Sequence, residues 1–137
     1  METAKIFMAE DDAEDIFIIL EAMEHIKASH LMHFAENGVL LLEMLNKHYQ
    51  NNELPCLIVL DLNMPKMNGT ETLSHIKNDE RFRNIPVIIY STSINPFEKE
   101  KCMRLGAHSY ITKPITFHDG VETARTFHSF CNVSRVS

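Results

Sequence analysis

The stretch Cys56-Leu57-Ile58-Val59-Leu60-Asp61 decides the fold. Its apolar residues run without alternation and stop abruptly at an acid. An unbroken run of this length is a strand buried on both faces, which is the habit of parallel sheets. Beyond Asp61, a loop with Pro65, Asn68 and Gly69 leads into a helix that uses Leu73 and Ile76. The same grammar repeats in both directions. Upstream, Ile6-Phe7-Met8-Ala9 ends at Glu10-Asp11-Asp12; downstream, Pro86-Val87-Ile88-Ile89-Tyr90 ends at Ser91-Thr92-Ser93. Tyr110-Ile111-Thr112 ends at Lys113-Pro114, and Leu31 to Ala35 supplies the remaining strand.

Segments of helical spacing lie between these runs. Ile16, Ile19, Leu20, Met23 and Ile26 recur at intervals of mostly three and four, with Asp11 or Asp12 as N-cap and Asp15 adding negative charge to the first turn. Asn37-Gly38 reads as a turn, after which Val39, Leu42 and Leu45 mark a second helix. Pro96 suits the opening turn of a fourth helix that Gly106 closes. The last helix buries Val121, Ala124, Phe127 and Cys131, with Phe130 beside them. Strand and helix alternating five times make an α/β fold with a parallel sheet and right-handed crossovers.

Composition narrows the function. The chain has 137 residues, 45% hydrophobic and 23% charged, an ordinary globular mixture that should bury about two-thirds of its unfolded surface in one core. A single domain over residues 1–137 is expected. Thirteen Lys and Arg against 19 Asp and Glu give a net charge of −6 with no basic cluster, which argues against nucleic acid. The longest apolar runs fall far short of the roughly 20 residues of a membrane span, and the N-terminus carries no secretory signal. Cys56, Cys102 and Cys131 are widely spaced and odd in number, so they read as buried or idle thiols of a reducing cytoplasm. His30 and His33 are three apart without further ligands at metal spacing, so the histidines read as surface or packing residues.

Glu10 and Asp11, Asp61, Ser91 and Lys113 each stand just past a strand, at the sheet edge where ligands bind in open α/β folds. Three carboxylates in one cleft repel each other unless a cation joins them. Oxygen ligands without His or Cys suit a hard ion such as Mg²⁺. Such an ion draws in phosphoryl oxygens; Lys113 offers a second positive charge and Ser91 a hydroxyl. Asp61 can then attack as a carboxylate to form an aspartyl phosphate.

Four motifs in order carry a resemblance that spans essentially the whole chain: Phe7-Met8-Ala9-Glu10-Asp11-Asp12, Ile58-Val59-Leu60-Asp61-Leu62-Asn63-Met64-Pro65-Lys66-Met67-Asn68-Gly69, Ile88-Ile89-Tyr90-Ser91 and Tyr110-Ile111-Thr112-Lys113-Pro114. The sequence resembles the receiver domain of two-component response regulators. The resemblance implies a flavodoxin-like three-layer sandwich with a five-stranded parallel sheet in the order 2-1-3-4-5, flanked by five helices. It makes Asp61 the phosphoacceptor, fed by a sensor histidine kinase or a histidine phosphotransfer protein. Glu10, Asp11, Asp61 and the main-chain carbonyl of Asn63 would hold Mg²⁺, with Mn²⁺ as a substitute. Lys113 would pair with the phosphoryl group, through a cis bond to Pro114. Ser91 and Tyr110 would be the switch pair, and Asn63 and Ser93 would tune the lifetime of the phosphoaspartate. Such a protein catalyses its own phosphorylation and slow dephosphorylation and does not turn over external substrates.

With no output domain expected after Lys113 and its helix, the resemblance is to stand-alone, cytoplasmic receivers. The acidic start Glu10-Asp11-Asp12-Ala13-Glu14-Asp15 and the Ser91-Thr92-Ser93 run are similar to those found beside bacteriophytochrome-type kinases. The face made by the fourth helix, the fifth strand and the last helix would meet an unknown downstream protein, and a homodimer stays open. Two rivals share parts of the pattern. A haloacid-dehalogenase-type phosphatase wants a second Asp where Asn63 stands, and a flavodoxin wants a Ser/Thr-rich first loop instead of an acidic one. A degenerate receiver that binds partners without phosphorylation is the remaining alternative.

Overall fold

The computed structural model describes residues 4–132. Expectations resting on residues 1–3 and 133–137 lie outside the described residues. The strands are β1 (Ile6–Ala9), β2 (Met32–Ala35), β3 (Leu57–Leu60), β4 (Val87–Ser91) and β5 (Ser109–Thr112). The helices are α1 (Ala13–His25), α2 (Gly38–Gln50), α3 (Gly69–Lys77), α4 (Pro96–Arg104) and α5 (Phe117–Asn132), with one 3₁₀ turn, Ser29–Leu31, before β2. All strands are parallel and ordered β2-β1-β3-β4-β5.

Every residue of β1, β3 and β4 is buried, as unbroken apolar runs require. Alternate side chains serve opposite faces. Phe7, Ile58, Leu60 and Ile89 pack with Leu41, Leu45, Leu73, Ile76 and Cys102 of α2, α3 and α4. Met8, Leu57, Val59, Ile88 and Tyr90 pack with Ile19, Met23, Val121, Ala124 and Phe127 of α1 and α5. The result is a three-layer sandwich, the flavodoxin-like fold.

Side chains cap the helix starts: Asp12 accepts from the Glu14 and Asp15 amides, Asn37 from Leu40 and Asn95 from Phe97. Asn68 and Glu71 form a reciprocal capping box on α3. Each cap is worth about 1 kcal/mol. Pro96 begins α4, and Gly106, at φ 108°, follows its end in a conformation that L side chains rarely adopt.

Three expectations need correction. The inner face of α2 is Leu41 and Leu45, with Val39 exposed, because the Asn37 cap sets the phase of the helix. Cys56 and Cys131 are joined by a disulfide across 75 residues, their Cα atoms 5.3 Å apart, and Cys102 alone is a free thiol. The fold brings the start of β3 against the end of α5, so distance along the chain gave no guide. The Lys113-Pro114 bond is trans, since no described peptide bond is cis. Trans is the lower-energy isomer even before proline, and Lys113 reaches its carboxylate partners from it.

Candidate functional site

The strand ladders continue one residue past the strands. The amide of Glu10 donates to Ala35 O, that of Asp61 to Ala9 O and that of Lys113 to Ser91 O. These bonds fix the backbone of all three polar residues at the carboxyl edge of the sheet. The loop after Asp61 is folded back tightly: Gly69 N–H donates to Leu62 O, and a Cβ at Gly69 would fall 2.3 Å from the Asp61 carbonyl oxygen. No residue larger than glycine fits there without shifting the Asp61 backbone.

A cavity of about 460 Å³ opens at this edge, lined by Asp11, Asp12, Asp15, Asp61, Asn63, Thr92 and Lys113. Lys113 is its centre of positive charge. Its Nζ lies 2.7 Å from Asp15 Oδ2, 2.9 Å from Glu10 Oε1 and 3.6 Å from Asp61 Oδ2. Glu10 is 0% exposed, Asp61 5%, and the Lys113 side chain 8%. The amine also sits 5.7 Å from the centroid of the Tyr90 ring.

Burial and charge shift the titrations. Burial pushes the Glu10 carboxyl up to about 7; the Lys113 amine opposes this and the neighbouring Asp61 charge adds to it. Burial alone would lower the Lys113 amine, but Asp15, Glu10 and Asp61 outweigh it and hold the ammonium well above its ordinary range. Burial likewise raises the Tyr90 hydroxyl.

The carboxylates suit a divalent cation. One ligand oxygen each from Glu10, Asp11 and Asp61 lies within 4.8 Å of the others. Glu10 Oε2 accepts from the Asp12 amide, whereas Oε1 is fully buried and receives no aligned hydrogen bond despite the ammonium 2.9 Å away. A buried carboxylate that must share one ammonium with two other acids is under-compensated, and a metal ion would offset the remaining charge. Hard oxygen donors of this kind take Mg²⁺ or Mn²⁺.

The remaining residues singled out from the sequence divide between the cavity wall and the turn behind it. Asn63 is exposed and lines the cavity. Ser91 is fully buried; its hydroxyl accepts from the Ser93 amide, and Ser91 is not among the cavity-lining residues. Tyr110 is half-buried and donates from its hydroxyl to the Ser93 carbonyl at 3.0 Å. The Ser93 hydroxyl bonds to Glu98 of α4 instead of facing Asp61. Three lining residues escaped the sequence reading as site residues: Asp12, expected only as a helix cap, Asp15 and Thr92. Asp15 gave a partial signal, lying one helical turn beyond Asp11, whereas Thr92 is indistinguishable from its serine neighbours until the chain turns. His33, on β2, packs edge-on to Phe7 at 6.0 Å, a packing role.

Known proteins are similar to this chain in sequence and in fold. The family model of the response regulator receiver domain matches residues 6–125. A probable methanogenesis regulatory protein, FilR2 of Methanothrix harundinacea, is 32% identical over 115 residues, covering 83% of this chain and 74% of FilR2. Response regulator Rcp1 of a Synechocystis species is 29% identical over 127 residues, covering 91% of this chain and 86% of Rcp1. Among solved structures, the phosphorylated cyanobacterial phytochrome response regulator RcpA superposes with a TM-score of 0.83 at 33% identity, over 98% of this chain and 96% of RcpA. The Mn²⁺-bound form of Rcp1 gives 0.79 at 29% identity, over 93% of each chain. Sheet order, acidic edge and family match agree: the chain belongs to the response regulator receiver domain family of two-component signalling.

Proposed function

We propose that the protein is a phosphoacceptor switch whose nucleophile is Asp61. The single observation that carries this reading is the Lys113 amine standing among Glu10, Asp15 and Asp61 at the carboxyl edge of the sheet. The donor is a phosphohistidine on a sensor kinase or phosphotransfer protein. An Asp61 carboxylate oxygen attacks phosphorus, the nitrogen–phosphorus bond breaks, and the imidazole leaves with the electron pair and takes up a proton. Glu10, Asp11, Asp61 and the main-chain carbonyl of Asn63 would hold Mg²⁺, which when bound neutralises phosphoryl oxygens. That RcpA was solved phosphorylated and Rcp1 with Mn²⁺ supports the reading by similarity.

Lys113 pairs with the new phosphoryl oxygens. About two added negative charges then draw the Ser91 hydroxyl away from the Ser93 amide toward the phosphate. Tyr110 feels that change because its hydroxyl is bonded to the Ser93 carbonyl, on the same short turn. The equilibrium of α4, β5 and α5 shifts, and with it the affinity for a downstream protein. Asn63, in the cavity, tunes access of the hydrolytic water; Ser93 acts on it only once it lets go of Glu98. A cytoplasmic location follows from the donor and not from the cysteines, two of which are bonded. Among the described residues no helix is long and apolar enough to cross a membrane.

Incubation with acetyl phosphate and Mg²⁺, followed by intact mass measurement, tests this. The wild-type chain gains one phosphoryl group; Asp61→Asn, or wild type with chelator, gains none. An unchanged wild-type mass means a receiver that works without phosphorylation, and rapid multiple turnover of phosphate esters means a phosphatase.

A further inference from the structure

The Lys113 amine is not centred on Asp61. Of its three carboxylate neighbours only Asp15 receives an aligned hydrogen bond, at 2.7 Å from Nζ. Glu10 Oε1 is 2.9 Å away without alignment, and Asp61 Oδ2, at 3.6 Å, is outside hydrogen-bond range. The amine therefore leans toward α1. Asp15 is the third residue of that helix, where an acid ordinarily reaches back to the cap residue's amide. Here the Asp12 amide donates to Glu10 Oε2 instead. Asp15 is thus left without its usual local role and is committed to a residue 98 positions away.

We propose that Asp15 is a positioning residue that holds the Lys113 amine back from Asp61 and must release or share it when a phosphoryl group arrives. The proposal rests on Asp61 being the phosphoacceptor. Asp15 has a short side chain on a helix whose start is pinned by the Asp12 cap. It cannot follow the amine far into the cavity, so phosphate and Asp15 compete for the same donor. Charge-assisted hydrogen bonds are strong enough for that competition to set how tightly the phosphorylated state is held. Asp15 would keep the resting state off and shorten the life of the active one.

Beryllofluoride, which mimics a phosphoryl group on a carboxylate, gives the test at saturating Mg²⁺. Asp15→Asn keeps the shape and removes the charge, and should bind beryllofluoride about tenfold more tightly, the loss of one charged competitor. Asp15→Glu should restore wild-type affinity. The deciding comparison is the same pair in a Lys113→Met background, where the Asn substitution should change nothing. An equal gain with and without Lys113 overturns the proposal, since simple repulsion by Asp15 would suffice. Weaker binding by Asp15→Asn overturns it as well. If wild type and Asp61→Asn bind the probe equally, the phosphoacceptor reading fails, and this proposal falls with it. Circular dichroism of each variant checks that a change in affinity is not a loss of fold.

Discussion

The same strands end in two different ways. At the amino edge, the start of β3 is tied by Cys56 to Cys131 of α5, and the Cys56 amide donates to Lys5 O. At the carboxyl edge, Glu10 and Asp61 are buried, and with Asp15 they share the single Lys113 ammonium, whose side chain is 8% exposed. One end follows the rules of stability and the other breaks them. Desolvating ions rarely stabilises a fold, so the unfavourable end is where a ligand would repay the cost.

The largest effect expected from breaking this contrast is at Lys113. Lys113→Met leaves three carboxylates facing one another, and urea unfolding without metal should show a loss of about 3–5 kcal/mol. Adding Mg²⁺ should recover part of it; full stability without metal would show that the carboxylates do not depend on the amine. Next comes the opposite edge. Reducing the Cys56–Cys131 bond should cost about 2–4 kcal/mol yet leave phosphoryl uptake intact, because the bond is not part of the acidic edge. Loss of uptake on reduction would join two ends that the account separates.

Glu10→Gln sharpens the contrast from the other side. It removes a buried charge whose carboxyl is already pushed up to about 7, and should stabilise the metal-free protein by about 1–2 kcal/mol at neutral pH. Metal affinity should fall in the same variant; urea unfolding without metal reads the gain, and isothermal titration with Mg²⁺ reads the loss. The smallest effect belongs to His33, whose protonation is suppressed by burial, then by Lys5 and His48. Its pKa in the fold is below 6.5, so as pH falls through that value the unfolded chain binds more protons and stability drops. His33→Gln should remove a few tenths of a kcal/mol of that acid loss, measured by thermal melts from neutral to mildly acidic pH.

Much of this contrast was legible in the chain itself. An apolar run that ends on a charge announces both a buried strand and an edge residue, which located Glu10 and Asp61; Lys113 follows the shorter, only partly buried β5. Helix faces were legible where periodicity was strong, as for Val121, Ala124 and Phe127 in α5. In α2 an apolar residue occupies nearly every early position, so hydropathy alone could not choose Leu41 over Val39. Pairings across the fold left no local trace. Cys56 meets Cys131, and Asp15 meets Lys113, only in the folded chain: α5 packs against α1 and β3 on one face of the sheet, and the Lys113 side chain reaches from the end of β5 to the start of α1. Ser91 sits where the strand pattern puts it, but the direction of its hydroxyl depends on the turn through Ser93.

Borohydride trapping tests the central claim most directly. Acyl phosphates are reduced to the alcohol, so phosphorylated aspartate becomes homoserine and can be located by peptide mapping. After treatment with acetyl phosphate and Mg²⁺, conversion should occur at position 61 alone and vanish when the cation is chelated. Conversion at Asp11, Asp12 or Asp15, or at Asp61 without any divalent ion, would contradict the account.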